Sequence, residues 1–213
     1  MKKEQCLSQS LQGFIINALN LKSPILLKEI KPMKISIADI NQTNVKDIPK
    51  PCKACLYWEN PNAVEQKPSS AKKERDEAEK TSWFLETLKA FGNCGKVLYV
   101  DARPAGYAQY ATAKRFPNTR EYPAKKLEIA AENVAFISCL YISDKSLRRK
   151  GLGVKLLDAI LVDLKTRGFQ AVETFASKHS ANNPSGPIEF YLMKEFHVKE
   201  DLNSDFALVR RNL

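Results

Sequence analysis

The segment Arg148-Arg149-Lys150-Gly151-Leu152-Gly153-Val154 stands between the most apolar run of the chain, Val134 to Ile142, and a stretch with helical spacing of Leu156, Leu157, Ile160, Leu161 and Leu164. Two glycines let a backbone turn with its N–H groups facing one point, and no Cβ blocks a ligand's approach there. The positive end of a helix dipole and three cationic side chains add to the attraction. That is the chemistry of a site for phosphate oxygens. The glycine spacing and Lys-Ser/Thr pair of a Walker loop are absent, and so is the G-x-G-x-x-G of dinucleotide binders. A bare Gly-x-Gly is explained more simply as the basic first turn of a core helix.

Cys52-x-x-Cys55 has the spacing of a zinc or redox pair. A structural zinc wants a second pair of ligands, and the remaining candidates, Cys94, Cys139, His179 and His197, are scattered. Pro51 before the pair and Leu56-Tyr57-Trp58 after it suggest a loop entering apolar packing, not the start of a thioredoxin-like helix. No metal is expected, and sensitivity to oxidation stays open. Five cysteines in a chain of 213 residues are too few for a disulfide scaffold, which points to a reducing, cytoplasmic compartment.

These residues need a frame. A first strand is predicted at Ile25 to Ile30 or at Lys34 to Ile37, followed by a loop-rich region over 41–70. The mixed-charge run Ala71 to Lys80 reads as a solvated helix face. The same helix continues through Phe84, Leu85, Leu88 and Phe91 as a buried stripe and stops at Gly92-Asn93. Val97 to Val100 and Tyr107 to Ala113 read as a hairpin joined by the turn residues Asp101 to Gly106. Residues 114–132 are a long, Pro-punctuated loop. Val134 to Ile142, nearly unbroken in its apolarity, reads as a central strand buried on both faces. The Leu-rich helix ends at Arg167-Gly168; a strand Ala171 to Ala176, a helix Ile188 to Glu195 and strands Val198 to Leu202 and Phe206 to Arg210 complete an α/β sheet.

Composition bounds the rest. An apolar fraction of 44% and a charged fraction of 27% are those of a globular chain with one sizeable core. Lys2 and Lys3 before Leu11 to Leu21 faintly suggest a signal sequence, but Gln12, Asn17 and Asn20 interrupt the run. No stretch approaches the ~20 apolar residues that cross a bilayer, so no membrane partner is expected. The net charge of +10 suggests an anionic partner. No zinc finger, helix-turn-helix or RNA-binding aromatic signature accompanies it, so nucleic acid is not expected.

Arg148-x-x-Gly151-x-Gly153, after an apolar strand and opening a helix, resembles the Q/R-x-x-G-x-G/A signature of the GNAT superfamily of N-acetyltransferases. Cys52-Lys53-Ala54-Cys55-Leu56-Tyr57-Trp58-Glu59, Gly106 to Tyr110, Gly168 to Thr174 and Asn183-Pro184-Ser185-Gly186-Pro187-Ile188-Glu189-Phe190-Tyr191 also resemble that family, and one bacterial and archaeal branch of it, in order along the chain. The resemblance covers roughly residues 33 to 213, leaving 1–32 as an N-terminal extension. It implies an α/β fold with a mixed, splayed central sheet of about six or seven strands flanked by helices. It also implies acetyl-CoA as cosubstrate, bound beside the central strand, and a primary amine, of a small molecule or a protein, as acceptor.

Carried over by position, the resemblance gives the backbone amides of Arg149, Lys150, Gly151, Leu152, Gly153 and Val154, with Arg148 before them, the coenzyme A pyrophosphate. It gives the main chain of Leu140 and Ile142 the pantetheine, one amide polarising the thioester carbonyl, and it makes Asn183 a further pantetheine contact. Tyr191 stands where the superfamily often has a tyrosine general acid, and a phenol suits because it stays protonated at neutral pH. A core aromatic at the same position is the competing reading of Tyr191. Glu59, Glu128, Glu132 and Glu173 are carboxylates from which a general base could be drawn, and none is singled out. A catalytically silent acyl-CoA-binding module on the same fold is the alternative function. A monomer or a homodimer is expected.

Overall fold

The computed structural model describes residues 33–63, 69–179 and 186–213. Seven strands form one sheet: β1 (Ile35–Asp39), β2 (Gly95–Val100), β3 (Arg103–Ala111), β4 (Val134–Ile142), β5 (Ala171–Ser177), β6 (His197–Asp201) and β7 (Phe206–Asn212). Their order is β1-β2-β3-β4-β5-β7-β6. Neighbours run antiparallel except β4 and β5, which are parallel and joined through a helical crossover. The helices are α1 (Ser70–Phe91), α2 (Leu152–Thr166) and the short α3 (Ile188–Leu192).

Local chemistry accounts for the boundaries. Ser69 caps α1 by accepting from the Lys72 amide at 3.0 Å, and Gly92, at φ +85°, ends it. The β2–β3 turn is tighter than the predicted one: Asp101 and Ala102 take φ of 49° and 63°, the left-handed pair that matches strand twist in a two-residue hairpin. Strand β3 therefore begins at Arg103. The predicted helix over 188–195 stops at Leu192, because Glu195 turns at φ 63° to bring Phe196 back against Tyr191, ring centroids 5.2 Å apart. The first strand lies at Ile35–Asp39, and the alternative at Ile25 to Ile30 falls in residues 1–32, outside the described residues.

Two apolar layers cover the sheet. The buried stripe of α2, Leu152, Leu156, Leu157, Ile160, Leu161 and Leu164, packs on Leu98, Ala108, Tyr110, Ala135 and Ile137. On the opposite face Phe84 of α1 joins Val97, Tyr107 and Cys139, and an aromatic group of Trp58, Phe116, Phe136 and Phe175 continues that layer. The charge run of α1 is not wholly solvated as predicted: Asp76 and Lys80 are buried along with Phe84.

A break in β4 positions everything that follows. Gln109 pairs with Cys139 and Tyr110 with Ile137, so Ser138 is an extra residue in a β-bulge, its hydroxyl donating to the Gln109 carbonyl at 3.3 Å. The bulge resets the alternation of side chains. Ala135 and Ile137 face α2; beyond the bulge Leu140 and Ile142 face α2, while Cys139 and Tyr141 face the α1 side. At the same place β4 leaves β5: the ladder holds for Val134↔Ala171, Ala135↔Val172 and Phe136↔Glu173 and then stops. The far half of β4 thus has a backbone edge with no strand beside it among the described residues.

Candidate active site

The chain leaves β4 through a tight turn at Lys145–Leu147, capped by the Asp144 carboxylate accepting from the Ser146 amide at 2.8 Å. Arg149 then takes φ 59° and Gly151 φ 76°, two left-handed residues that swing the backbone into α2. Gly151 is the N-cap and has no side chain to cap with. The first helical hydrogen bond runs from the Lys155 amide to the Gly151 carbonyl, 3.1 Å. The amides of Leu152, Gly153 and Val154 are therefore the donors that a helix leaves open at its start. Among the described residues a Cβ on Gly151 would meet nothing within 4 Å, so the turn itself is uncrowded. A Cβ on Gly153 would lie 3.6 Å from Phe190 and 3.7 Å from Leu140, which places the turn directly over the free half of β4.

Arg148 folds back onto the strand. Its Nε donates to the Ile142 carbonyl at 3.0 Å, Nη2 donates to the Tyr141 hydroxyl at 3.1 Å, and the guanidinium lies 5.2 Å from the Tyr141 ring centroid. Arg149 and Lys150 are exposed.

Tyr191, on α3, is fully buried among Phe190, Phe196 and the α2-side core. Its hydroxyl has no hydrogen-bond partner among the described residues. Burial pushes the phenol well above its usual range, against a weaker pull from the nearby Thr174 hydroxyl. That hydroxyl is already donated to the Ile137 carbonyl at 2.8 Å. Proximity to Thr174 and Cys139 puts the phenol oxygen where β4 and β5 part.

On the α1 face a cavity of about 690 Å³ opens against the same strand, with Cys139 and Tyr141 of β4 in its wall. Its floor is a closed polar network. Lys80 Nζ donates to Glu59 Oε1 at 2.6 Å and to Gln109 Oε1 at 2.7 Å; Tyr107 donates to Gln109 Oε1, and Gln109 Nε2 donates to Glu59. Glu59 Oε2 is buried with no partner among the described residues. Cys52 and Cys55 lie in the wall as well. The hydrogen bond from Cys139 holds the Cys52 thiol below its ordinary range, and the same bond with burial holds Cys139 well above it. Among the described residues no group of three or more His, Cys, Asp or Glu is placed to hold a metal ion.

The model of the Acetyltransferase (GNAT) family matches residues 54–196, more than half of the chain. The chain belongs to that family. Solved structures agree on the fold of this GNAT chain. The PaiA N-acetyltransferase from Thermoplasma acidophilum, crystallised with coenzyme A, is 15% identical, with 85% of this chain and 100% of that one covered at a TM-score of 0.53. Ard1 from Thermoplasma volcanium is 13% identical over 84% and 97% of the two chains, TM-score 0.51. The ribosomal-protein-S18-alanine N-acetyltransferase from Escherichia coli is 15% identical over 84% and 94%, TM-score 0.50. No curated protein sequence matches the chain.

The GNAT fold brings together Leu140, Ile142, the turn 148–154 and Tyr191, as described above; Asn183 lies outside the described residues. Of the four carboxylates, Glu59 alone adjoins the cavity floor. Glu173 is buried between Lys199 at 2.6 Å and Arg210 at 2.9 Å, Glu128 shares both cations, and Glu132 pairs with Lys114 at the surface. Lys80, Gln109 and Tyr122 were not among the sequence candidates. Lys80 had a legible signal, since positions 80, 84, 87 and 91 continue one helical stripe. Gln109 lay inside the Gly106 to Tyr110 motif with no role attached to it, and Tyr122 had no signal, because a strand residue and a loop residue meet there only through the fold.

Proposed function

We propose that the protein is an acetyl-CoA-dependent N-acetyltransferase that passes the acetyl group to a primary amine by direct attack on the thioester. The observation that carries this reading is the coincidence of three features at one point of the sheet: a β4 edge with no strand beside it among the described residues, a run of helix-start amides, and a buried phenol with no partner among those residues. The amides of Leu152, Gly153 and Val154 are suited to the pyrophosphate, with Arg149 and Lys150 adding charge. The edge main chain of Leu140 and the Ile142 amide are suited to pantetheine as an added strand would be, the Ile142 carbonyl being taken by Arg148, and an amide there is suited to the thioester carbonyl. Tyr191 holds a proton in a dry site. When the amine nitrogen bonds the acetyl carbon and the carbon–sulfur bond breaks, that proton goes to the departing thiolate; the proton the nitrogen sheds in becoming an amide passes to solvent, and the phenol takes one back from solvent to complete the cycle. Acetyl-CoA supplies the activated acyl group; the chain binds, orients and protonates. Two proteins of the same fold are themselves named N-acetyltransferases, one crystallised with coenzyme A, which agrees with this reading.

Isothermal titration with acetyl-CoA, followed by thiol release against a panel of primary amines, tests it. Saturable binding with amine-dependent release of free CoA is expected. Binding without release for every amine class would leave the silent acyl-CoA-binding reading instead.

A further inference from the structure

The cavity on the α1 face has a wall of unusual chemistry. Six aromatic side chains line it, Tyr57, Trp58, Tyr107, Tyr122, Tyr141 and Phe206. The four tyrosine hydroxyls among them are already engaged. The Tyr57 and Tyr122 hydroxyls bond one another at 3.2 Å, Tyr107 donates to Gln109, and the Tyr141 hydroxyl receives Arg148. The floor is satisfied but for one atom: Gln109 Oε1 accepts from both Lys80 and Tyr107 and the charge of Lys80 is matched by Glu59, whose Oε2 alone has no partner among the described residues. A ligand entering here meets chiefly ring faces and thiols. The rings are also held in place. Trp58 stacks on Tyr122 at 5.6 Å, Tyr122 stacks on Phe175 at 4.2 Å, and Phe206 meets Tyr122 edge-on at 5.4 Å.

Charge narrows the choice further. Among the described residues of the wall the charged groups are Lys80, deep and paired, and Glu121, at an exposed position. A polyamine or a polycationic sugar needs several carboxylates, and this cavity, in a chain of net charge +10, does not supply them. A volume of about 690 Å³ lies within the range of small-molecule sites. A single ammonium on a flat apolar body fits: the body between the rings, and the cation over a ring face until it loses its proton.

We propose that this cavity binds a small primary amine carried on a flat, aromatic or otherwise apolar body, and that this is the acceptor class of the enzyme. The second half rests on the acetyltransferase reading; the first does not. Cys139 and Tyr141 connect the two, since they form the cavity wall on one side of β4 while Leu140, between them, faces the α2 turn.

The test uses the full chain and three probes: 2-phenylethylamine, spermidine and a hexapeptide with a free N-terminus. Each is titrated calorimetrically with and without CoA, and each is then assayed for thiol release from acetyl-CoA. 2-Phenylethylamine is expected to bind about tenfold or more tighter than either other probe, and to show the highest kcat/KM. Phe206→Leu and, independently, Tyr122→Leu should weaken that binding by about tenfold while leaving the Kd for acetyl-CoA unchanged. Equal or better binding of spermidine or the peptide overturns the proposal, whatever the turnover. Preferential binding of 2-phenylethylamine with no thiol release upholds the ligand class and overturns the acetyltransferase reading.

Discussion

The Thr174 hydroxyl donates to the Ile137 carbonyl at 2.8 Å, one residue beyond the last ladder pair, Phe136↔Glu173. A side chain thus takes over from the backbone at the point where two parallel strands separate. It satisfies a carbonyl that the separation would otherwise leave buried and unpaired, since Ile137 is fully buried. Thr174→Val keeps the shape and removes the donor. Unfolding in urea is expected to show a loss of about 1–3 kcal/mol, the cost of a buried acceptor left unsatisfied. Thr174→Ser, which retains the hydroxyl, should lose much less, and equal losses in the two variants would mean that the methyl group matters and the hydrogen bond does not.

The turn into α2 gives a second expectation. Gly151 lies at φ 76°, where any L side chain is strained by about 1–2 kcal/mol, although space around it is open. Gly153 has ordinary φ, and its Cβ position touches Phe190 and Leu140 without overlap. Gly153→Val should therefore fold with little loss of stability, yet its extra methyls would stand over the free amides. Calorimetry with CoA should register no binding to Gly153→Val and to the more strained Gly151→Val. Unchanged affinity in both would remove the turn from the cofactor site.

Acid should loosen the far edge of the sheet. Lys199 beside Glu128, with Arg210 adding to it, holds the Glu128 carboxyl below the usual carboxylate range. A folded value below the unfolded one means that the contribution is complete above about pH 4.3, the unfolded value, and is lost as pH falls through the folded value. Urea midpoints measured from pH 7 down to pH 3 should fall less steeply in Glu128→Gln than in the parent. At pH 7 the larger loss belongs to buried Glu173, whose bonds to two cations make Glu173→Gln cost about 1.5–3 kcal/mol.

How much of this was legible in the sequence follows from what each residue depends on. Strand β4 and helix α2 depend on local apolar pattern, and the sequence places β4 at the residues observed and α2 from its glycine turn to Arg167-Gly168. The bulge at Ser138 was not legible, because an all-apolar run has no alternation whose phase could be seen to slip. Its consequence, Cys139 and Tyr141 turned toward one face and Leu140 toward the other, was hidden with it. The motif Tyr57-Trp58-Glu59 was visible, but its partners come from α1, from β3 and from the loop at Tyr122. Lys80 was misread as solvated because charge outweighed its place on the Phe84 stripe; burial became tolerable through Glu59, 21 positions away, and Gln109.

The Tyr191 hydroxyl supplies the sharpest expectation. A tyrosine kept for structure would use its hydroxyl in a buried hydrogen bond, and replacing it by phenylalanine would cost stability. Tyr191 has no such bond among the described residues, while its ring packs against Phe190 and Phe196. Tyr191→Phe keeps the ring contacts and deletes a desolvated oxygen that has no partner among the described residues, so its unfolding midpoint should equal or exceed that of the parent. Burial raises the phenol's pKa, so it carries its proton across the whole working range. Loss of that proton falls on the transition state, where charge develops on sulfur, and not on the bound ground state. Turnover is therefore expected to drop by about 10²–10⁴-fold with the Kd for acetyl-CoA unchanged. Thermal unfolding, calorimetry and steady-state thiol release on one preparation separate the cases. Parental turnover in a stable Tyr191→Phe protein would pass the acid's role to another group, and a marked loss of stability would return Tyr191 to the core.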